Sequence, residues 1–173
     1  MKIFGLAGWS GSGKTTLLVQ LLPALVAHGL RVSTLKHAHH AFDVDQPGKD
    51  SYAHRAAGAT EVMVASAHRW ALMHELRGAA EPSVADLIAH MTGVDLLLIE
   101  GFKNHAHDRL EVYRRGLGKP LLCIDDPRIV AVASDGPVPE TRAKVLDLAR
   151  TGEIAAFILS HCGLTPRATG VGR

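Results

Sequence analysis

Cysteine and long apolar runs are nearly absent from this chain of 173 residues. The two cysteines, Cys123 and Cys162, form no spaced motif, which fits a reducing cytosol. No apolar stretch is long enough to span a bilayer, and no secretory leader opens the chain. The net charge of +2 comes from interspersed acids and bases, so neither a nucleic acid nor a membrane surface is indicated as a partner. These absences predict a cytoplasmic protein.

Linkers, internal repeats and low-complexity blocks are also missing from the sequence. The length suits one domain that can bury a core without disulfides or metals. We therefore expect a single domain covering residues 1–173, and the motif at residues 8–15 predicts that this domain binds a nucleotide.

The segment Gly-Trp-Ser-Gly-Ser-Gly-Lys-Thr, from Gly8 to Thr15, matches the phosphate-binding pattern G-x-x-x-x-G-K-[ST]. Gly8 and Gly13 let the backbone turn so that successive N–H groups point at phosphate oxygens. Lys14 is expected to reach the β- and γ-phosphates, and the hydroxyl of Thr15 is expected to bind Mg²⁺. The motif predicts a nucleoside phosphate ligand.

The flanks of this P-loop have the order that the motif requires. An apolar run, Ile3–Ala7, precedes it and is short enough for a buried strand. Leucines recur at helical spacing after it, and Gly29 marks the end of the predicted helix. Pro23 lies inside that helix and predicts a kink or an early end.

A second landmark is the run Val-Asp-Leu-Leu-Leu-Ile-Glu-Gly-Phe-Lys, residues 94–103. It predicts a strand buried on both faces that ends in an acid. Asp95 and Glu100 lie roughly 16 Å apart along such a strand, at about 3.3 Å per residue. Only Glu100 shares the carboxyl edge with the P-loop, so it is the candidate Mg²⁺ partner, and Gly101 would bring an N–H close to a terminal phosphate.

The remaining pattern predicts a three-layer α/β fold of the P-loop NTPase type, with a mostly parallel sheet, helices on both faces and some antiparallel edge strands. Asp108–Arg114 alternates polar and apolar residues and predicts a half-exposed strand, whereas Pro120–Ile124 predicts a buried one. The other expected strands are Arg31–Lys36, Thr60–Ala65, Arg69–His74 and Ile129–Ala133, and the expected helices are Asp50–Ala57, Ser83–Met91, Pro139–Arg150 and Thr151–Leu159.

The base that the nucleotide carries is less clearly encoded. Asn-Lys-x-Asp, the usual guanine motif, is missing because the only asparagine is Asn104. A carboxylate can accept hydrogen bonds from guanine N1–H and N2–H₂, and adenine offers no such pair. Asp125, Asp126 and Asp135 follow expected strands and could read guanine, which the residues permit without requiring.

Histidines are concentrated in two polar segments, around residues 37–40 and 105–107. His37, His39 and His40 could hold a metal, contact phosphate or a partner, or form a solvated surface, and the sequence leaves these alternatives open. Lys36, Lys49 and Lys103 are expected on loops near the nucleotide edge, where ordinary surface lysines are an equal alternative.

The chain resembles the molybdopterin-guanine dinucleotide biosynthesis adaptor family MobB. The resemblance covers roughly Met1 to Leu159. It rests on the P-loop, on Lys36-His-Ala-His-His with Phe42-Asp-Val-Asp and Pro47-Gly-Lys-Asp-Ser, on His54-Arg-Ala-Ala-Gly-Ala and on Leu98-Ile-Glu-Gly-Phe-Lys.

The resemblance implies a homodimeric, GTP-binding accessory protein of molybdenum-cofactor maturation with weak Mg²⁺-dependent GTPase activity. Its partner would be the guanylyltransferase MobA, which joins GMP to molybdopterin, and molybdopterin itself is a further expected contact. By position, Gly11, Ser12, Gly13, Lys14, Thr15 and Thr16 would hold phosphates, Thr15 would hold Mg²⁺, and Glu100 with Gly101 would form the acid and switch glycine.

Three functions therefore compete. In the leading one, Mg·GTP binds at the carboxyl edge of the sheet and is hydrolysed slowly, with Lys14 and Glu100 as the candidate catalytic residues. Neither a strong general base nor an arginine finger is evident, which predicts a poor enzyme. The alternatives are an ATP-dependent small-molecule kinase or ligase with Asp45 or Asp50 as base, and a metallochaperone GTPase that uses the 37–40 histidines.

Overall fold

The computed structural model describes residues 1–38, 42–102 and 105–167. The chain divides into two compact units. We call residues 1–37 together with those from 92 onward the sheet unit, and residues 38–91 the hairpin unit. Within the described ranges no helix combines the length and apolar character needed to cross a membrane.

The sheet unit is built on six parallel strands in the order β2-β5-β1-β6-β7-β8. The strands expected at Ile3–Ala7 and Arg31–Lys36 thus belong to the same sheet, and β5 lies between them. The strands of this unit are β1 (Lys2–Ala7), β2 (Val32–Lys36), β5 (Leu96–Glu100), β6 (Arg109–Tyr113), β7 (Ile129–Ser134) and β8 (Lys144–Asp147).

The register of the central strands brings their carboxyl ends to one edge. Leu6 of β1 lies opposite Glu100 of β5, and Ala7 lies opposite Glu111 of β6. All five residues of β5 are buried, as its apolar run predicts for a central strand. The P-loop, which follows Ala7, therefore begins beside the end of β5.

Two long helices cover one face of this sheet. Helix α1 (Lys14–Ala27) and helix α4 (Thr151–Cys162) pack on each other and on β1. Alternate strand residues such as Phe4, Leu98 and Leu110 point into this layer and are fully buried. The apolar stripes of the helices complete the core with Leu17, Leu21, Leu25, Ile154, Ala155 and Ile158.

The hairpin unit contains helix α2 (Asp50–Ala56), strands β3 (Glu61–Ala65) and β4 (Trp70–His74), and helix α3 (Val84–Ala89). The two strands are antiparallel and form a sheet of their own, which is where the expected antiparallel strands lie. Helix α2 packs on β3. Ser83 caps α3 in a reciprocal capping box with Asp86, as the sequence predicts.

Of the two outcomes predicted for Pro23, the early end of the helix does not occur, since α1 continues to Ala27, and the kink stays a prediction. Pro23 lies in the exposed part of the helix surface. The packing of Leu21 and Leu25 on the sheet continues past it, and this burial offsets the lost hydrogen bond. The helix then stops at His28, followed by Gly29 at φ +74°, as expected.

The prediction that 108–114 is a half-exposed strand is wrong in its exposure. The strand β6 exists, but its polar residues Arg109 and Glu111 are 5 % and 0 % exposed. Arg109 pairs with Asp126 at 3.1 Å, and Glu111 accepts hydrogen bonds from the N–H groups of Leu122 and Cys123 at 2.9 and 3.0 Å. The alternation of polar and apolar residues in β6 thus reflects polar side chains with buried hydrogen-bond partners, not side chains exposed to water.

Two expected elements have the wrong type. Residues 120–124 form no strand but lead into a 3₁₀ helix, Leu122–Ile124, because the carboxylate of Glu111 takes the N–H groups that a strand would give to a neighbour. The expected helix at 139–150 is replaced by the edge strand β8, which pairs with β7. The exposed edge of β7 offers a full ladder of backbone hydrogen bonds, which overrides a weak helix pattern.

Candidate functional site

The P-loop joins the carboxyl end of β1 to the start of α1. Gly8, Gly11 and Gly13 have φ values of +143°, +79° and +95°, a region that favours glycine. At Gly8 a Cβ atom would also approach the Ser12 hydroxyl and the carbonyl oxygen of Val112 to 2.6 Å. The backbone conformation of this loop therefore requires glycine at these positions.

The amino end of α1 has no acidic side chain in its first turn. Gly13 occupies the N-cap position without a side chain. The first N–H groups of a helix have no acceptor within it, and the helix dipole favours negative charge there. The Ser12 hydroxyl is buried and has no hydrogen-bond partner among the described residues. The donor set fits a phosphate group.

Lys14 lies across the loop that it is expected to serve. Its ammonium group donates to the carbonyl oxygens of Gly8 at 2.9 Å and Trp9 at 3.0 Å. These contacts hold the positive charge over the concave side of the loop. A phosphate oxygen is a stronger acceptor than either carbonyl, so anion binding can replace these bonds.

Thr15 and Glu100 meet in the structure. The Thr15 hydroxyl lies 3.1 Å and 3.2 Å from the two carboxylate oxygens of Glu100. The Glu100 residue is 8 % exposed at the end of β5. A hydroxyl and a carboxylate are oxygen ligands of the type that Mg²⁺ takes. The sequence placed these two residues 85 positions apart at one edge, and the contact confirms that geometry.

Gly101 follows Glu100 in a conformation that favours glycine, with φ +96°. A Cβ atom at this position would meet the Cβ of His37 at 2.7 Å, so a larger residue would displace the end of β2. The N–H of His37 donates to the carbonyl oxygen of Glu100 at 2.9 Å, and its ring contacts Phe102 at 4.7 Å between centroids. His37 therefore supports the segment that carries the acid.

Arg114 is a site residue that the sequence reasoning missed. Its guanidinium donates to the carbonyl oxygen of Ser12 and to the carboxylate of Asp135, at 3.1 Å each, and lies 3.5 Å from where a Gly13 Cβ would be. It follows β6, the parallel neighbour of β1, so strand adjacency would have indicated it. Arg114 places a second positive charge beside the P-loop.

Trp9 closes one side of the loop. Its indole N–H donates to the carbonyl oxygen of Pro120 at 2.8 Å, and the ammonium of Lys119 lies 5.7 Å from the ring centroid. The loop is thereby fastened to the segment after β6.

The three acids considered for guanine differ in position. Asp135 follows β7 and is tied to the P-loop through Arg114. Asp125 follows a 3₁₀ helix, not a strand, and precedes the amino end of β7, so the strand argument that selected it is wrong. Asp126 is engaged with Arg109 and with the N–H of Arg128.

Asp95 has a different setting from Glu100. It accepts hydrogen bonds from the N–H of Arg31 at 2.8 Å and from Arg167 at 3.0 Å. The bond from the Arg31 N–H, followed by the positive charge of Arg167, lowers the pKa of this carboxyl. Asp95 lies at the amino end of β5, where its hydrogen bonds connect that strand to Arg31 and Arg167.

Some of the remaining candidate site residues lie in the part of the chain that the structure describes, and others do not. His39, His40, Lys103 and Asn104 lie outside the described residues. In the part of the chain that the structure describes, no three His, Cys, Asp or Glu side chains group as a metal site. Asp45, one of the kinase bases considered above, lies in the hairpin unit paired with Arg55 at 2.8 Å.

With this geometry established, comparison with known proteins decides the family. The model of the family described as "Molybdopterin guanine dinucleotide synthesis protein B" (MobB) matches residues 3–135. The chain belongs to the MobB family. Two curated members are molybdopterin-guanine dinucleotide biosynthesis adapter proteins, each 42 % identical to this chain. The Escherichia coli protein matches over 91 % of this chain and 91 % of its own length, and the Haemophilus influenzae protein over 90 % and 86 %.

Solved MobB structures have the same architecture. A crystal structure of molybdopterin-guanine biosynthesis protein B superposes with a TM-score of 0.73 at 28 % identity, over 92 % of this chain and 99 % of that one. A MobB homologue from Bacillus stearothermophilus superposes with a TM-score of 0.68 over 94 % and 99 % of the two chains. Its identity of 23 % supports the fold alone. The predicted P-loop NTPase fold is confirmed.

Proposed function

We propose that this protein is a GTP-binding adapter of molybdopterin-guanine dinucleotide biosynthesis with weak Mg²⁺-dependent GTPase activity. The pathway comes from the family and from the names of its curated members. Nucleotide binding is supported above all by the contact between Thr15 of the P-loop and Glu100 of β5. That contact joins the P-loop to the acid at the end of β5, and the proposal takes these as the two halves of a phosphate and metal site.

Each residue of the site has a role in this proposal. The N–H groups that follow Gly13 and the ammonium of Lys14 would bind the phosphates. Thr15 and Glu100 would hold Mg²⁺, which supplies positive charge against the phosphate oxygens. Arg114, through the carbonyl oxygen of Ser12, holds the loop in shape.

Slow hydrolysis is expected from the same geometry. The carboxylate of Glu100 already accepts a hydrogen bond from the Thr15 hydroxyl. Arg114 is engaged with Asp135 and the loop carbonyl of Ser12. A side chain held in these contacts stabilises the ground-state loop more than a transition state, so turnover should be slow without a partner.

Preference for GTP over ATP is part of the proposal. Asp135 is the acid that the structure ties to the P-loop, and a carboxylate complements the paired N–H donors of guanine. Competition measures this preference: a fluorescent GTP analogue with Mg²⁺ is displaced from the purified protein by GTP or by ATP. Displacement by GTP alone supports the adapter, whereas displacement by ATP alone supports the kinase alternative.

Lys14→Ala tests the site directly. We expect nucleotide affinity to fall at least about a hundredfold, because charge-assisted contacts to phosphate are lost, while circular dichroism and the unfolding midpoint stay close to wild type. Lys2→Ala is the matched control, since Lys2 is exposed at the amino end of β1, away from the P-loop. Retained affinity in Lys14→Ala, or its unfolding, would refute the assignment.

Metal dependence is tested with Glu100→Gln, which keeps the shape and removes the charge. The Mg²⁺ concentration needed for half-maximal nucleotide affinity should rise about tenfold or more. An unchanged Mg²⁺ requirement would exclude Glu100 as a metal partner.

The partner and assembly follow from the family resemblance. The proposed partner is the guanylyltransferase that joins GMP to molybdopterin, and the proposed assembly is a homodimer. A pull-down with the purified guanylyltransferase, with and without GTP, tests the first, and light scattering across a range of concentrations tests the second. GTP turnover at ordinary enzyme rates without a partner would contradict the adapter function.

A further inference from the structure

Glu111 is a buried acid of the sheet unit to which the site described above gives no role. It is fully buried in β6, opposite Ala7, the last residue of β1 before the P-loop. Removing a carboxylate from water costs free energy, and this burial raises the pKa of the Glu111 carboxyl. Hydrogen bonds to the backbone of residues 120–124 offset part of that cost.

These hydrogen bonds fix the position of residues 120–124. Oε1 of Glu111 accepts from the N–H of Leu122 at 2.9 Å, and Oε2 accepts from the N–H of Cys123 at 3.0 Å. Both N–H groups belong to the first turn of a 3₁₀ helix, which gives them no acceptor of its own. The carbonyl group of Pro120 lies just two residues before the first of them, so the carboxylate also determines where that carbonyl points.

The carbonyl oxygen of Pro120 connects this segment to the P-loop through Trp9. It accepts the indole N–H of Trp9 at 2.8 Å. The backbone carbonyl of Trp9 in turn accepts the N–H of Ser12 at 3.1 Å and the ammonium group of Lys14 at 3.0 Å. A displaced indole would therefore shift the carbonyl that shapes the loop and positions its lysine.

We propose that Glu111 is a positioning residue of the nucleotide site, which acts through Pro120 and Trp9 to hold the P-loop in its binding conformation. We call these three residues and their hydrogen bonds the brace. The inference rests on the proposed function, because it takes the P-loop as a nucleotide site. A loop that is already ordered loses less conformational entropy when its ligand binds, so the brace raises affinity without contacting the phosphates.

Affinity for a fluorescent GTP analogue with Mg²⁺ tests the brace in a Trp70→Phe background, which leaves Trp9 as the single tryptophan. Trp70 is exposed in the hairpin unit, so Trp70→Phe alone is the matched control and should bind as wild type. Glu111→Met removes both acceptor oxygens and should weaken binding about tenfold. Glu111→Gln should restore most of this loss, because its amide oxygen can still accept from the backbone.

Trp9→Phe tests the other end of the brace and keeps the proposal testable if Glu111→Met fails to fold. It removes the indole N–H at a partly exposed position and should weaken binding about fivefold. In combination with Glu111→Met it should add less than about a further twofold, because both changes break one chain of contacts. Losses that multiply fully would show two independent effects and overturn the proposal.

Trp9 emission without nucleotide separates positioning from a general loss of stability. Well below the unfolding midpoint, Glu111→Met should shift this emission to longer wavelength and increase its quenching by acrylamide, because the indole loses its acceptor. An unshifted emission, or unchanged affinity in folded Glu111→Met and Trp9→Phe variants, would refute the brace and leave the proposed function standing. No binding by the Trp70→Phe protein and by wild type would refute the proposed function, and the role of Glu111 with it.

Discussion

Different forces stabilise the sheet unit and the hairpin unit. Among the described residues, all but two of the buried apolar side chains belong to the sheet unit, the exceptions being Val62 and Val84. The hairpin unit instead exposes Met63, Trp70 and Leu72 at 61 %, 62 % and 38 %. Hydrophobic burial is the main source of stability in the first unit, and it is scarce in the second.

Polar contacts take the place of a core in the hairpin unit. Arg55 bonds to Asp43 at 2.9 Å and to Asp45 at 2.8 Å, lies 3.5 Å from Glu75, and has its guanidinium over the ring of Tyr52. These acids, led by the hydrogen bond to Asp45, raise the pKa of Arg55. Charged side chains paired around Arg55 therefore stabilise this unit in place of a large apolar core.

The largest expected effect separates the units by burial alone. Leu98→Ala should lower the free energy of unfolding by about 3 kcal/mol, because Leu98 is fully buried in β5 and its truncation leaves a cavity. Leu72→Ala, the same change at an exposed position in β4, should change it by less than about 0.5 kcal/mol. Urea denaturation of both variants measures the difference. Equal losses would show that the exposed face of the hairpin is covered in solution.

A second prediction compares two histidines across pH. His107 is 5 % exposed, and burial, followed by the positive charge of Arg109, lowers its pKa from 6.5 to about 4. The folded protein thus binds fewer protons than the unfolded chain between these values, so stability should fall as the pH drops from 6.5 to 4. The shift corresponds to at most about 3.5 kcal/mol, at about 1.4 kcal/mol per pKa unit.

Denaturation midpoints measured from pH 7 to pH 4 test this dependence. His107→Gln should flatten the acid slope, and His68→Gln, at an exposed position of the hairpin unit, is the control. Because His107 lies where a Gly5 Cβ would come within 2.4 Å of its Nε2, the variant also reports how tightly this ring is packed. An unchanged slope in His107→Gln would assign acid sensitivity to other groups.

The P-loop and β5 could be predicted because their information is local. Positive φ at Gly8 and Gly13, and an apolar run ending in Glu100, are each encoded within about ten residues. The contact between Thr15 and Glu100 then followed from parallel strands sharing one carboxyl edge. Strand adjacency is a general rule, so two local motifs were enough to define the site.

The errors fall where a residue's partner is distant in sequence. Glu111 was read as solvent-facing because alternation cannot reveal that its carboxylate meets the N–H groups of Leu122 and Cys123. The same contact removed the expected strand at 120–124. Arg114 was missed because no local pattern reveals that β6 lies beside β1, and this adjacency brings Arg114 to Ser12, 102 positions away. Secondary-structure patterns describe neighbours along the chain, whereas these outcomes depend on neighbours in space.

A third prediction tests the polar basis of the hairpin unit. Arg55→Gln removes the charge that holds three carboxylates, so backbone amides of residues 43–75 should exchange with solvent about tenfold faster. Amides of β5 should keep their wild-type rates, because their protection comes from the buried sheet. Arg142→Gln is the matched control. Unchanged exchange in residues 43–75 would mean that the network contributes little and that the contrast between the units is overstated.

The smallest expected effect concerns one helix cap. Ser83 accepts a hydrogen bond from the N–H of Asp86, and the Asp86 carboxylate accepts from the N–H of Ser83. Ser83→Ala should destabilise α3 by about 1 kcal/mol, the ordinary value for losing such a cap.

The effect of Ser83→Ala should be visible chiefly as faster amide exchange in α3, because a helix of six residues with one buried side chain has little packing to hold its first turn. Ser160→Ala, an exposed serine inside α4, is the control: it removes no cap, and α4 has five buried residues. A loss of amide protection confined to α3 would show that a single polar contact stabilises this helix of the hairpin unit. If instead both variants matched wild type, α3 would owe its stability to packing of Val84, and burial would matter in the hairpin unit as it does in the sheet unit.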